Sequence, residues 1–386
     1  MLKLAGYFFP GKSVFDSHRS KNIRRAVRAR RATPHGIPDQ LEPDRSVVLQ
    51  QPVAGIRTGE RNFLGSLSRM GHGLQRSYLL ALLQELADSE SENAPTLILG
   101  CEEPELYQHP PQARHLADVF EELATGNNQI LVTTHSPLFV SGDGFENTRL
   151  VRRESQASGT SIRSLTFANL CARTRAALGE APNSRTAGMI AKIHQALQPG
   201  IAEMFFAHVP VLVEGLEDVS YITTELLLSN QWGEFRRLGC HLIPCNGKDK
   251  LIQPLAIATE FGMPVFVVFD ADGDTIRQDF RIKHERDNRA LISLLGAAHA
   301  PFPSADVLSS NHAIWEKSLT LSVKADFAVD YDRIVNAARV NYAHEGGLEK
   351  NDLFIADWLT AARDECLSSP TLARLCQAIL EFARSV

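Results

Sequence analysis

Glu214, Asp218, Asp270 and Asp272 are the residues of this chain whose types and spacing best suit chemistry. Glu214 ends an apolar run, Val209-Pro-Val-Leu-Val213, and is followed by Gly215 and, one helical turn on, Asp218. Asp270-Ala271-Asp272 ends a second apolar run, Val265-Phe-Val-Val-Phe269. Short apolar runs bounded by turn signals read as buried strands. Each strand would then deliver carboxylates at its C-terminal end, where open α/β sheets place their sites. Phosphodiester cleavage builds charge on the attacking and leaving oxygens, and one or two divalent ions ~3.5–4 Å apart neutralise both. Mg2+ accepts a few carboxylate oxygens and keeps several waters, and Mn2+ suits the same oxygen donors. Glu214, Asp270 and Asp272 are therefore read as ligands of a Mg2+ (or Mn2+) phosphoryl-transfer site. Asp218 is a candidate for a second metal position or an outer-shell partner. Glu217 reads as a first-turn residue favoured by the helix dipole, and Asp274 as turn chemistry. The plain alternative is two acidic strand ends with no metal.

The elements that must position these residues follow from the pattern around them. The sequence predicts a strand at 209–213, a helix at 217–228, a strand near His241–Pro244, a helix at 249–261 and a strand at 265–269. Asn288–Leu295 and the amphipathic stretch Phe354–Phe382 read as helical. Strands alternating with helices imply a mostly parallel sheet, hence an α/β fold.

A second constellation lies upstream. Gly71-His-Gly73-Leu-Gln75-Arg76 opens an apolar-periodic helix, Tyr78–Leu86. Thr96-Leu-Ile-Leu99 reads as a short strand ending in Glu102-Glu103-Pro104-Glu105, and Pro111–Ala124 as a helix. Gln129–Val132 is another strand, ending in Thr133-Thr-His135-Ser-Pro137. A strand ending in adjacent acids is the Walker B pattern: Glu102 would hold the nucleotide's Mg2+ and Glu103 would polarise the attacking water. His135 suits a contact to the γ-phosphate of ATP. Gly71, Gly73 and Gln75, at a helix start, suit phosphate binding by backbone N–H groups. Each element also has a bland reading, as a solvated acidic cap or a structural histidine.

Gly6-Tyr-Phe-Phe-Pro-Gly11-Lys12-Ser13 matches the P-loop spacing. Its context is poor. Tyr7, Phe8 and Phe9 stand where small residues should let backbone approach phosphate, and an Arg-rich polar stretch follows. Arg19, Lys21, Arg24, Arg25, Arg28, Arg30 and Arg31 crowd that stretch before Pro34, Gly36, Pro38 and Pro43 break it. It is either a solvated arm or a contact to a DNA backbone.

Composition sets the outer bounds. The 386 residues suffice for two or three domains, and 44% hydrophobic with 22% charged residues is globular. A net charge of −5 announces no global basic field, so any groove for DNA must be local. No apolar run is long enough to span a membrane, and no signal peptide is evident. Six scattered cysteines without a CxxC pair suggest inert thiols in a reducing cytoplasm.

Together, Glu102-Glu-Pro-Glu-Leu-Tyr-Gln-His-Pro110 and Thr133-Thr-His-Ser-Pro137 resemble the distal half of the ABC-type ATPase of the OLD (overcoming-lysogenisation-defect) family of nucleases. Val211-Leu-Val-Glu214-Gly-Leu-Glu217-Asp218 and Phe269-Asp270-Ala-Asp272-Gly-Asp274 resemble that family's TOPRIM domain. The resemblance implies an α/β fold, a partial ABC-type ATPase domain followed by a Rossmann-like TOPRIM domain with a helical C-terminal region. The corresponding segments are an Arg-rich 1–45, an ATPase-like 46–153, a helical connector 154–205 and a TOPRIM domain 206–386. It also implies that the turn at Gly247-Lys248 faces the metal site, where Lys248 is read either as a catalytic contact to a scissile or flanking phosphate or as a surface lysine. Glu316 would correspond to a late acidic ligand of the second metal, and Lys350 to a late basic residue.

The expected activity is a cytoplasmic DNA endonuclease, acting in phage defence or DNA metabolism and homodimeric through the ATPase-like domain. The 57 residues between Ser13 and Gly71 are too few for the rest of a nucleotide-binding lobe, so a truncated family member, completed by a second protein chain, is the expectation. Two other readings stay open: a catalytically impaired DNA- or partner-binding regulator, and an ATPase of the SMC/RecF kind.

Overall fold

In the computed structural model the described residues are 57–58, 65–87, 98–124, 128–142, 144–155, 159–180, 186–343, 347–348 and 350–386. The Arg-rich segment, Lys12 and the polar loop at 88–95 lie outside them. The chain divides into two compact units, Met1–Thr134 and His135–Val386.

In the first unit, β1 (Arg57–Thr58) pairs antiparallel with β2 (Gly65–Ser66). Helix α1 (His72–Ala87) starts at the glycine turn, several residues earlier than the apolar period alone suggests. β3 (Ile98–Glu102) and β4 (Gln129–Thr133) pair in parallel through helix α2 (Pro110–Leu123), with Glu102 opposite Thr133. Pro110 and Pro111 suit the first helical turn, where no N–H partner is needed. Leu116, Ala117, Phe120 and Leu123 bury one face of that helix.

The second unit opens with a hairpin, β5 (Leu150–Ser155) and β6 (Gly159–Arg163), then α3 (Phe167–Leu178), α4 (Thr186–Ala196) and the short α5 (Pro199–Ala202). The helices fall within the helical connector expected at 154–205, whereas the hairpin stands where no strand is expected. The consecutive charges Arg152-Arg153-Glu154 and the polar Gly159-Thr160-Ser161 concealed the strands. Arg152 ties the hairpin to the start of the sheet by donating to the carbonyls of Ala207 at 2.7 Å and His208 at 3.2 Å.

The sheet follows: β7 (Val209–Val213), α6 (Leu216–Leu228), α7 (Trp232–Arg237), β8 (Cys240–Pro244), α8 (Lys248–Glu260), β9 (Phe266–Asp270), α9 (Gln278–Leu294), β10 (Val307–Leu308) and β11 (His312–Trp315). Its strand order is β10-β11-β9-β7-β8, parallel except for edge strand β10. Helices α10 (Leu319–Phe327), α11 (Asp330–Asn341), α12 (Asp352–Asp364) and α13 (Pro370–Ser385) complete the unit.

The period-two alternation of the strands divides two cores. Val211, Val213, Phe266 and Val268 face one that also holds Trp358, Leu375 and Ile379 of the C-terminal helices. Leu212, Ile243, Val267 and Phe269 face the other, with Ile193, Leu255 and Leu291. Both faces are covered, as an all-parallel core requires, which is why the strand sequences read as continuous apolar runs. Capping fixes the helix starts: Ser318, Asn351 and Ser369 each accept an N–H three residues on.

Candidate metal centre

The C-terminal ends of β7, β9 and β11 meet. Glu214 follows β7, and its Oε1 accepts the backbone N–H of Asp270 at 2.8 Å. Asp270 is the last residue of β9 and lies in register with Trp315 of β11. Its Oδ1 accepts the N–H of Leu319 at 2.9 Å, so the positive end of α10 points at this carboxylate. Asp218, in the first turn of α6, accepts the Gly215 N–H at 2.9 Å through Oδ2, closing the turn that carries Glu214. Asp272 adopts a left-handed backbone, φ 54°. Its Oδ2 meets the Lys248 ammonium and lies 3.1 Å from His284 Nδ1. Lys248 also donates to the Asp270 carbonyl at 2.6 Å. Gly273 is required where it stands: a Cβ there would lie 2.7 Å from the Glu316 carbonyl oxygen.

The surface-lysine reading of Lys248 is wrong, because its side chain is only 5% exposed. It begins α8 under the carboxylates, just after a turn with Asn246 at φ 62° and Gly247 at φ 129°. Glu217 does more than meet a helix dipole. It accepts the Thr320 hydroxyl and pairs with Lys350 at 3.0 Å. Glu316 stands just beyond β11, its backbone holding Gly273 on one side and Asp306 on the other.

The electrostatics are those of a crowded anionic cluster. Burial pushes Glu214 up to about 7, with Lys248 and the Asp270 N–H pulling the other way and Asp218 and Asp272 adding repulsion. Burial likewise lifts Asp218 to about 6, against the Gly215 N–H. Asp270 is held well above the usual carboxylate range by burial first, then by the charges of Glu214 and Asp218. Among the described residues no three acidic, His or Cys side chains are gathered closely enough to grip an ion as they stand. The donor chemistry nevertheless fits a hard divalent cation: converging carboxylates at strand ends, mutually repelled, with Lys248 and Lys350 as partial compensation. Asp272 is the member turned aside, toward Lys248 and His284.

Sequence reasoning missed His284, Asn288 and Arg281 on α9, and Thr320 on α10. Asn288 donates to the carbonyls of Ala271 at 2.9 Å and Pro301 at 2.7 Å, and Arg281 to that of Gly273 at 3.0 Å. Polar residues on the stripe that runs into buried Leu291 were the available signal.

In the first unit the nucleotide candidates assemble partially. Gly71 stands just before α1 and its carbonyl accepts the N–H groups of Leu74 and Gln75. Gln75 Nε2 donates to the Met70 carbonyl at 2.7 Å, so that amide serves its own helix start. Gly73 is approached closely: a Cβ would lie 3.2 Å from the Tyr107 carbonyl. Glu102 ends β3, and Glu103, at φ 43°, donates its N–H to the Thr133 carbonyl at 2.8 Å. Arg76 donates to the Glu103 carbonyl at 2.8 Å, joining the glycine turn to the acidic one. His135, two residues beyond β4, is the first residue of the second unit. Among the described residues no helix is long and apolar enough to cross a membrane.

Two family models match parts of the chain. Residues 17–140 match the AAA ATPase domain, a match that begins beyond Ser13. Residues 205–272 match the TOPRIM domain of overcoming-lysogenization-defect-like proteins. The chain is 31% identical over 138 residues to the Old nuclease of Escherichia phage P2, covering 31% of this chain and 23% of that protein. It is 26% identical over 261 residues to the OLD nuclease of Thermus scotoductus, covering 66% of this chain and 45% of that protein. The chain thus spans less than half the length of either relative. Among solved structures it is similar to the C-terminal region of the Xanthomonas campestris OLD protein, at 13% identity and a TM-score of 0.29, over 47% of this chain and 96% of that one.

Proposed function

We propose that this chain, which belongs to the OLD family by its AAA ATPase and OLD-like TOPRIM domains, is a divalent-metal-dependent DNA endonuclease. The observation that carries the reading is the convergence of Glu214 and Asp270 at adjoining strand ends, with Asp218 and Asp272 beside them. Glu214, Asp218, Asp270 and Asp272 would hold Mg2+ or Mn2+, with Glu316, just beyond β11, as a further ligand of a second metal. When bound, the metal supplies charge neutralisation at the phosphodiester oxygens and a more acidic water. Lys248 orients Asp272 and, once a DNA phosphate competes for its ammonium, binds that phosphate. The N–H of Leu319 fixes one oxygen of Asp270, and the other would serve the metal. Glu217, through Thr320 and Lys350, holds the first turn of α6 and so the position of Asp218.

The ATPase-like part regulates cutting or joins two copies of the chain, with Gly71, Gly73, Gln75, Glu102, Glu103 and His135 on the nucleotide side. The setting that goes with this reading is cytoplasmic phage defence or DNA metabolism. The relatives named as nucleases support the cutting activity. The test is plasmid cleavage in Mg2+ or Mn2+: activity unchanged by Asp270→Ala would sink the site. A second reading, an impaired DNA- or partner-binding regulator, is favoured by one observation, the capture of Asp272 by Lys248 and His284. It expects no metal binding that depends on these carboxylates.

A further inference from the structure

Helix α9 carries Arg281, His284 and Asn288 at positions i, i+3 and i+7, within an arc of about 60° on a regular helix. The three side chains meet three successive residues of the acidic turn in reverse order. Asn288 Nδ2 donates to the Ala271 carbonyl at 2.9 Å. His284 Nδ1 lies 3.1 Å from Asp272 Oδ2. Arg281 Nη1 donates to the Gly273 carbonyl at 3.0 Å. The opposite side of the same turn is also held. The N–H groups of Ala271, Asp272 and Gly273 donate to the carbonyls of Trp315, Lys317 and Glu316 at 2.8, 3.1 and 2.9 Å.

Packing alone does not explain this stripe. Asn288 has no exposed surface and stands one turn before buried Leu291, where an apolar residue would extend the core. It carries instead an amide whose nitrogen serves two carbonyls, that of buried Ala271 and that of half-buried Pro301, while its Oδ1 finds no partner. Arg281 lies over the Phe302 ring, 4.2 Å from its centre, so the 301–302 segment is drawn onto the same face. The turn so held contains Asp272 in a left-handed backbone. A non-glycine residue keeps such a conformation only where its surroundings over-determine it. Groups behind metal donors commonly do this work.

We propose that Arg281, His284 and Asn288 are positioning residues, a helix-borne clamp that sets the Asp270–Ala271–Asp272 turn for metal ligation. The inference rests on reading that cluster as a metal centre.

Calorimetric titration of the full chain with Mn2+ tests it, alongside melting of the metal-free protein. Arg281→Ala and Asn288→Ala are expected to bind Mn2+ about 10–100-fold more weakly. Arg281→Lys, which keeps a donor for the Gly273 carbonyl, recovers part of that loss. Arg289→Ala, on the exposed side of the helix and paired with Glu285, binds like the wild type. Half-buried Arg281 decides the matter if Asn288→Ala does not fold. Unchanged Mn2+ affinity in a folded Arg281→Ala, or an equal loss in Arg289→Ala, overturns the clamp alone. No Mn2+ binding by the wild type overturns the clamp and the metal-site reading together.

Discussion

The Lys248 ammonium lies 2.6 Å from the carbonyl oxygen of Asp270 while also pairing with the Asp272 carboxylate. One buried cation thus bridges the strand end and the turn that follows it. It lowers the cost of gathering carboxylates at a place where burial opposes their charge. Lys248→Met removes that bridge and leaves the acids to one another. Breaking a buried pair by removing one partner typically costs about 3 kcal/mol or more. Urea denaturation of the metal-free protein should show a loss of that order. Saturating Mn2+ should restore most of it, because the metal replaces the missing positive charge.

Metal-free stability should depend on pH in a specific direction. Glu214 and Asp218 are raised in the fold to about 7 and about 6, so the folded state holds protons that the unfolded chain has released. Their contribution is complete below the unfolded values of about 4 and is lost as pH rises through 6 and 7. The melting temperature should fall between pH 5 and 8, and Glu214→Gln should flatten that fall. A Glu214→Gln profile with the wild-type slope would remove Glu214 as its source. Because ligation needs the deprotonated carboxylates, Mn2+ affinity should rise over the same interval.

Glu225 and Arg363 join α6 to α12 through bonds of 3.1 Å, with the glutamate only 5% exposed. This pair is remote in role from the carboxylate cluster. Arg363→Ala strands a buried charge and should destabilise by about 3 kcal/mol, measured by denaturation. The Mn2+ affinity of the folded fraction should be unchanged. A shift in affinity would show that α6 transmits strain to Asp218.

On the proposed reading of Glu103 as the carboxylate that polarises the attacking water, Glu103→Gln should lower ATP hydrolysis by about 100-fold or more while ATP binding persists. Phosphate release and nucleotide binding, measured side by side, check this. Equal hydrolysis by wild type and variant would remove Glu103 from that role.

The parts of this fold that could be read in advance are those with strict local periods. The strand Val209–Val213 and the acidic ends of β7 and β9 stand where the apolar runs place them, because strands buried on both faces leave continuous apolar sequence. Glu102 and Thr133 share one region because parallel pairing sets them opposite, and Arg76 joins the glycine turn to it through the Glu103 carbonyl. The hairpin at 150–163 was hidden because it exposes charged residues on short strands. Lys248 could not be told from a surface lysine, since nothing local records that the Asn246-Gly247 turn folds it under the sheet. The grip of Arg281, His284 and Asn288 on residues 271–273 depends on tertiary placement of a helix whose own sequence looks solvent-facing and charged.

The most direct measurement is cleavage of supercoiled plasmid by the wild type and by Asp270→Asn in Mn2+, with metal affinity measured on the same samples. A metal that neutralises transition-state charge is worth several kcal/mol, so nicking should fall by about 100-fold or more in Asp270→Asn, together with weakened Mn2+ binding. Equal nicking by both proteins, or nicking that persists in chelator, would contradict a metal centre at Glu214 and Asp270.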